Sequence, residues 1–101
     1  MTPILSQTAL SAGIDTVCYT ATDSYAVLSV NIVNTGSTAA LVDLAISSGS
    51  TPSTENYLEY QTEITPNNMI ERSGLIALNT YNIIVKSSTA DVAVNVYGLG
   101  E

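Results

Sequence analysis

Apolar and polar residues alternate along most of this chain, and such alternation is typical of β-strands that bury one face. It is clearest in the segments "YAVLSVNIV", "AALVDLAIS", "YNIIVKSS" and "DVAVNVYG". The side chains on the apolar face of these segments, which we predict to be buried, are Leu28, Val30, Ile32, Val42, Leu44, Ile46, Ile83, Val85, Val94 and Val96. A further segment, "GIDTVCYTA", is predicted to turn Val17, Tyr19 and Ala21 inward.

Short stretches rich in Gly, Pro, Asn, Ser and Thr separate these segments. The sequences "NTGS", "SSGSTPST", "TPNN" and "LNT" are typical of turns. They recur roughly every ten to fifteen residues, which is close to the spacing of an all-β sandwich. No segment shows a helical pattern long enough to connect parallel strands. We therefore predict an all-β fold, an antiparallel β-sandwich of about seven or eight short strands that is Ig-like or jelly-roll-like.

The length of 101 residues is that of one domain with one core. Residues 14–101 are predicted to form the sandwich, and residues 1–13 an N-terminal strand or docking arm. The apolar stretch "PILSQTAL" suits an arm that adds to the edge of a neighbouring sheet. The N-terminus has no basic region, so we expect no secretory signal. No stretch approaches the ~20 apolar residues of a membrane helix.

The charge is one-sided, with nine acidic residues against Arg72 and Lys86 and a formal net charge of −7. Nucleic-acid binding needs clustered basic side chains that neutralise phosphates, and anionic membrane surfaces attract the same clusters. Two isolated basic residues cannot form such a cluster. We therefore expect neither a direct nucleic-acid partner nor a membrane partner.

The residue types that perform most catalysis and metal binding are scarce. The chain has no His, and its single cysteine, Cys18, cannot form a disulfide within the chain. The aspartates stand singly rather than with the spacing of a calcium loop, at Asp15, Asp23, Asp43 and Asp91. We accordingly expect no enzymatic activity, no cofactor and no metal site.

The segment "NYLEYQTEI" brings two carboxylates and two tyrosines together. On a helix Glu59 and Glu63 would be neighbours, but the alternation of the segment favours a strand, on which they are ~13 Å apart. The paired carboxylates of glycosidases are about 5–9.5 Å apart. We therefore interpret both glutamates as part of a solvated strand face and not as an acid/base pair.

All six aromatic residues are tyrosines, and Tyr25, Tyr57 and Tyr97 are predicted to face outward. Tyrosine is favoured at the centres of protein interfaces, and this chain has little of the charge that protects strand edges from pairing. We take these tyrosines, with Ile4 and Leu5, as the candidate interface residues. We expect assembly with other proteins or with copies of the chain. Exposed tyrosines leave a sugar-binding platform as the alternative.

Two longer segments, "NYLEYQTEITPNNMIERSGLIAL" and "YNIIVKSSTADVAVNVYG", resemble small β-sandwich domains in virion structural proteins of tailed bacteriophages. The earlier segment "VNIVNTGSTAALVDLAISS" is also similar, so that the resemblance covers about residues 14–98. It includes a Tyr-x-Glu-Tyr strand, a Pro/Asn turn, a Glu-Arg-x-Gly step and a late Val-rich hairpin. The matching positions are Tyr57, Glu59, Tyr60, Pro66, Asn67, Glu71, Arg72, Gly74, Val85, Ser87, Val94, Val96 and Gly98.

The resemblance implies a non-enzymatic structural component of a tailed-phage virion, a capsid decoration or head-attached protein that acts through protein–protein contacts. It further implies synthesis in the host cytoplasm, a place in the phage particle, contacts with the major capsid or a tail protein, and a homo-oligomer. A receptor- or glycan-binding module of a tail or fibre is the alternative. We also expect Arg72, on the same side of its strand as Ile70, to reach an acid such as Glu59 or Glu63.

Overall fold

The computed structural model describes residues 4–100, which form eight β-strands and one short 3-10 turn. The elements are β1 (Ile4–Ala9), β2 (Thr16–Thr20), β3 (Tyr25–Asn34), β4 (Ala40–Ser47), the 3-10 turn (Thr54–Asn56), β5 (Tyr57–Ile64), β6 (Met69–Leu78), β7 (Asn82–Ser87) and β8 (Val92–Gly100).

The eight strands form two four-stranded antiparallel sheets that pack face to face. The first sheet has the order β1-β8-β3-β6 and the second the order β2-β7-β4-β5. The chain is thus a long antiparallel ribbon in which β1 pairs with β8, β2 with β7, β3 with β6 and β4 with β5. Successive pairs of the ribbon alternate between the two sheets. This is a jelly-roll arrangement, and it confirms the predicted all-β antiparallel sandwich.

The core lies between the sheets and consists mainly of aliphatic side chains. Of the ten side chains predicted to be buried, all except Ile46 are buried. Ile46 is partly buried and packs against the core. It lies opposite Ile83 of β7, but the pairing of β4 with β5 ends at Ala45, so a strand covers Ile46 on one side only.

Strand β2 departs from the predicted alternation. The register shifts between Val17 and Tyr19, so that Cys18 is buried while Val17 is 41% exposed. A bulge of this kind adds one residue to a strand and sends the following side chains to the opposite face. The inward prediction is therefore wrong for Val17. It is confirmed for Ala21, which is buried, and Tyr19 packs partly buried against the core.

The N-terminal segment is an integral part of the sandwich over the residues described. Strand β1 pairs with β8 as an edge strand of the first sheet, and Leu5 packs against the core. An isolated bridge joins Ala12 to Ser87. Within the predicted N-terminal strand or docking arm, residues 4–9 thus form a strand of the first sheet. Residues 1–3 of that segment lie outside the described part of the chain.

One buried polar side chain joins the turn after β3 to the end of β5. Asn34, at the end of β3, is fully buried, and its Nδ2 donates to the carbonyl oxygens of Thr38 and Ile64 at 2.8 Å each. Its Oδ1 accepts the backbone N–H of Gly36 at 2.9 Å. Each polar atom of the side chain thus has a partner, as a buried amide requires.

Candidate functional site

The outer surface of the first sheet carries a cluster of exposed apolar side chains. Val27 of β3 lies between Ile76 of β6 and Leu99 of β8. In the next row, Tyr25 of β3 lies opposite Leu78 of β6. These five side chains are 40–59% exposed. Because they come from three neighbouring strands in register, they form one continuous surface.

The cluster continues across β8 to the edge strand β1. There Tyr97 lies opposite Ile4, which is 63% exposed. At the border of the cluster the nearby Glu71 carboxylate raises the pKa of Tyr97. The seven uncharged residues, named the apolar face below, are Ile4, Tyr25, Val27, Ile76, Leu78, Tyr97 and Leu99.

The size of the apolar face distinguishes it from single exposed apolar residues. An aromatic side chain has about 150–250 Å² of surface and an aliphatic one less, so that seven such side chains, most of them about half exposed, present on the order of 600 Å². The largest apolar patch of a typical monomer is about 300–600 Å² and is often functional. A standard protein interface buries about 800 Å² per partner. The apolar face is thus large enough to form most of one side of an interface.

The structure brings three of the five candidate interface residues together. Tyr25, Tyr97 and Ile4 all belong to the apolar face. Leu5, the neighbour of Ile4, is partly buried and packs against the core. Tyr57 lies on β5 of the second sheet, on the other side of the molecule.

Sequence reasoning missed the other four members of the apolar face, Val27, Ile76, Leu78 and Leu99. A signal for Val27, Ile76 and Leu78 was present, because the segments "YAVLSV" and "GLIAL" are apolar at successive positions. A strand with apolar residues at both its odd and its even positions has an apolar outer face as well as an apolar inner one. We predicted only the side chains on the buried face of these strands, so those on the outer face were missed.

A second candidate site is an open cleft beside the beginning of β5. Its walls are Pro52, Ser53 and Thr54 on one side and Tyr57 and Tyr60 on the other, around a volume of about 700 Å³. The two tyrosine rings meet edge to face, with centroids 4.9 Å apart and planes inclined at 66°. Tyr60 is 65% exposed, so that a ligand in the cleft can reach its ring. These five residues are named the tyrosine cleft.

A bulge in β5 turns Tyr60 outward. Gln61 has a left-handed backbone with φ of 53°, and its N–H donates to Asp43 Oδ1 at 2.7 Å. The Gln61 side-chain amide donates to the same oxygen at 3.2 Å. Simple alternation predicts that Tyr60 faces the same side as Leu58, which packs against the core. That prediction is wrong because the bulge interrupts the alternation.

Local hydrogen bonds build the opposite wall of the tyrosine cleft. The backbone N–H of Ser53 donates to Asn56 Oδ1 at 2.8 Å, and the N–H of Asn56 donates to the Ser53 carbonyl at 2.9 Å. This reciprocal pair closes the 3-10 turn that leads into Tyr57. Partial burial, and then the carboxylates of Asp15 and Asp43, raise the pKa of Tyr57.

The two carboxylates of β5 do not share a face. Glu59 lies opposite Leu44, a core residue, and forms an ion pair with Arg72 of the first sheet. The Thr62 hydroxyl donates to Glu59 at 2.7 Å, and this bond, together with Arg72, holds the pKa of Glu59 below its usual range. Glu63 is exposed. The expected contact between Arg72 and Glu59 is confirmed, whereas the shared solvated face is wrong.

The other residues considered for catalysis or metal binding are buried or lie far apart. Burial raises the pKa of the Cys18 thiol to about 11, so the thiol is protonated and a poor nucleophile at neutral pH. Among residues 4–100, no group of three or more His, Cys, Asp or Glu side chains is placed to hold a metal ion. The same part of the chain has no helix long and apolar enough to span a membrane.

The strand order and the two surfaces define the class of this protein as a jelly-roll β-sandwich with an apolar outer face on one sheet and a tyrosine-lined cleft beside the other. Comparison with known proteins finds no match to a family model, to a curated protein or to a solved structure.

Proposed function

We propose that this chain is a non-enzymatic structural component of a tailed-phage virion, a capsid decoration or head-attached protein that acts through protein–protein contacts. The apolar face carries this proposal, because seven uncharged side chains stand in register on the outer surface of a sheet. Leaving such a surface in water is unfavourable, and contact with another protein removes it from water.

Two further properties support a structural role. The resemblance to virion β-sandwich domains covers most of the chain, and jelly rolls occur among viral capsid domains, although the latter is an analogy of fold alone. The net charge of −7 disfavours direct contact with packaged nucleic acid. The partners that fit are the major capsid or a tail protein and further copies of the chain, in a particle assembled after synthesis in the host cytoplasm.

The experiment compares purified phage particles assembled with wild-type or variant chain. Quantitative mass spectrometry should find the wild-type chain in many copies per particle, measured against the major capsid protein. Ile76→Glu places a carboxylate in the apolar face and should lower the copy number at least tenfold. Leu41→Glu, at a 40% exposed apolar position on the outer side of the second sheet, is the matched control and should leave it unchanged.

Either of two results would overturn this role. The first is the absence of the wild-type chain from particles that carry its gene. The second is normal incorporation of an Ile76→Glu chain that is folded by circular dichroism.

A specific observation favours a second candidate function, that of a receptor- or glycan-binding module of a tail or fibre. The exposed ring of Tyr60, held edge to face against Tyr57, offers an apolar surface on which a sugar ring can stack. The hydroxyl-bearing residues Ser53 and Thr54 line the same cleft and can provide polar contacts. Binding here would require no catalytic group.

Glycan binding is tested by titrating a panel of bacterial surface saccharides against wild type, Tyr60→Ala and Tyr25→Ala. The two tyrosines lie on different sheets, so Tyr25→Ala controls for the general loss of an exposed ring. Glycan binding predicts that Tyr60→Ala weakens affinity about tenfold or more while Tyr25→Ala does not. The absence of binding to every saccharide, or an equal loss in both variants, would exclude this function for the cleft.

A further inference from the structure

The apolar face is broad enough to receive a partner of the same shape. The molecule measures 39 × 32 × 18 Å, so that each sheet presents a wide outer surface. Val27 lies on the inner strand β3 of the first sheet, with an apolar neighbour on each side. The apolar rows lie toward the Tyr25 end of β3, so a partner sheet would meet them at that end of the surface.

Charge restricts where two copies of this chain can meet. Each copy carries a net charge of −7, and the approach of like charges across an interface is costly. The apolar face contains no charged residue, and Glu71 of the same sheet surface lies opposite Asn31, two outward-facing rows away from Val27. The outer side of the second sheet, by contrast, has Glu63 directly opposite Leu41. The first sheet therefore presents the surface on which two copies can approach with least repulsion.

Symmetry then selects the way in which the copies meet. A head-to-tail contact needs a second, complementary apolar patch, whereas a two-fold contact needs one patch that meets itself. In the described part of the chain, the exposed large apolar residues around the second sheet are spread over β2, β4, β5 and the loop before β2, at Ile14, Val17, Leu41 and Tyr60. We propose that the apolar face is occupied by a second copy of the chain, packed sheet against sheet about a two-fold axis near Val27.

The area available fits such a dimer. The apolar face supplies on the order of 600 Å², and the neighbouring uncharged residue Ser29 adds to it, toward the about 800 Å² per partner of a standard interface. Sheets packed face to face lie ~10 Å apart, a distance that these side chains can fill. The dimer rests on the proposed function, because that function makes the apolar face a protein contact and the dimer names the partner there.

The mass of the chain in solution tests the dimer directly. Sedimentation equilibrium over a dilution series should show wild-type protein at twice the chain mass and its reversible dissociation on dilution. Val27→Glu brings two carboxylates together at the axis and should raise the dissociation constant at least a hundredfold. Leu41→Glu adds the same charge at a similarly exposed position and should leave the constant unchanged. Circular dichroism checks that both variants are folded.

A cysteine placed near the axis tests the geometry. Val27→Cys in a Cys18→Ser background should form a disulfide-linked dimer under mild oxidation, because a two-fold axis brings the two copies of residue 27 together. Leu41→Cys in the same background should not. A wild-type chain that is monomeric at every concentration would overturn the dimer. A Val27→Glu chain that still dimerises, or equal cross-linking through residues 27 and 41, would also overturn it.

Particle incorporation separates the failure of the dimer from the failure of the proposed function. If the isolated chain is a monomer but Ile76→Glu removes it from particles, then the apolar face binds another virion protein, and the dimer is wrong. If Val27→Glu abolishes the dimer but the chain still enters particles at the normal copy number, the dimer is right and the apolar face does not attach the chain to the particle.

Discussion

At the residue scale, the buried amide of Asn34 holds the turn after β3 and the end of β5 through three side-chain hydrogen bonds. Asn34→Ala would leave these backbone groups without partners, and an unsatisfied buried group costs about 1–3 kcal/mol. We expect urea titrations to show a loss of about 3 kcal/mol in unfolding free energy. Asn31→Ala, on the outer side of the same strand, should cost about 0.5 kcal/mol or less. Equal effects would contradict the role of Asn34.

The ion pair of Glu59 with Arg72 joins edge strands of the two sheets. The folded pKa of Glu59 lies below its ordinary 4.5, so its contribution to stability is fully present above that value and is lost as the pH falls through the folded pKa. Both side chains are partly exposed, so Glu59→Gln should cost about 1 kcal/mol or less at neutral pH. Thermal unfolding should show this difference shrinking in acid, and an undiminished difference would contradict it.

At the scale of elements, bulges decide which side chains reach the surface. In β2 a bulge exposes Val17 and buries Cys18, and in β5 another exposes Tyr60. The β5 bulge depends on a neighbouring strand, because Asp43 of β4 accepts both hydrogen bonds from Gln61. The tyrosine cleft is thus a product of how β4 and β5 pair.

We expect Asp43→Ala to release this bulge, because Gln61 would keep an uncommon left-handed backbone without the acceptor that holds it. The unfolding free energy should fall by about 2 kcal/mol, and the NMR signals of the Tyr60 ring should shift. Asp43→Asn keeps the side-chain oxygen and should restore most of both. Tyr60 signals that are identical in the wild type and Asp43→Ala would show that the bulge stands without Asp43.

At the scale of the whole molecule, stability depends on one aliphatic core between the sheets. Ile32 is fully buried in this core, whereas Ile46 is only partly buried. Ile32→Ala should therefore cost ~2–5 kcal/mol, as expected for a cavity in a packed core. Ile46→Ala removes the same atoms from a site that solvent can reach and should cost less. Denaturant titrations of the two variants measure the difference, and a larger loss at Ile46 would contradict the described packing.

A feature of a candidate site could be predicted from the sequence where it depends on a single strand, and not where it depends on the pairing of strands. The outward position of Tyr25 follows from the alternation of its own strand, and so does the burial of Leu28 and Ile32. The exposure of Tyr60 could not be foreseen, because it depends on Asp43 in a neighbouring strand. The apolar face could be predicted in part, because its residues are apolar in the sequence. That these residues lie side by side could not be predicted.

The sequence by itself determined the β-strands, the turns between them and most of the core, because alternation and turn chemistry act within a few residues along the chain. The tertiary structure alone decided the jelly-roll order, the bulges and the two candidate surfaces. Val27, Ile76 and Leu99 are far apart in sequence and meet only because β6, β3 and β8 lie side by side. Strand pairing over such separations depends on the packing of the whole chain, and no local pattern encodes it.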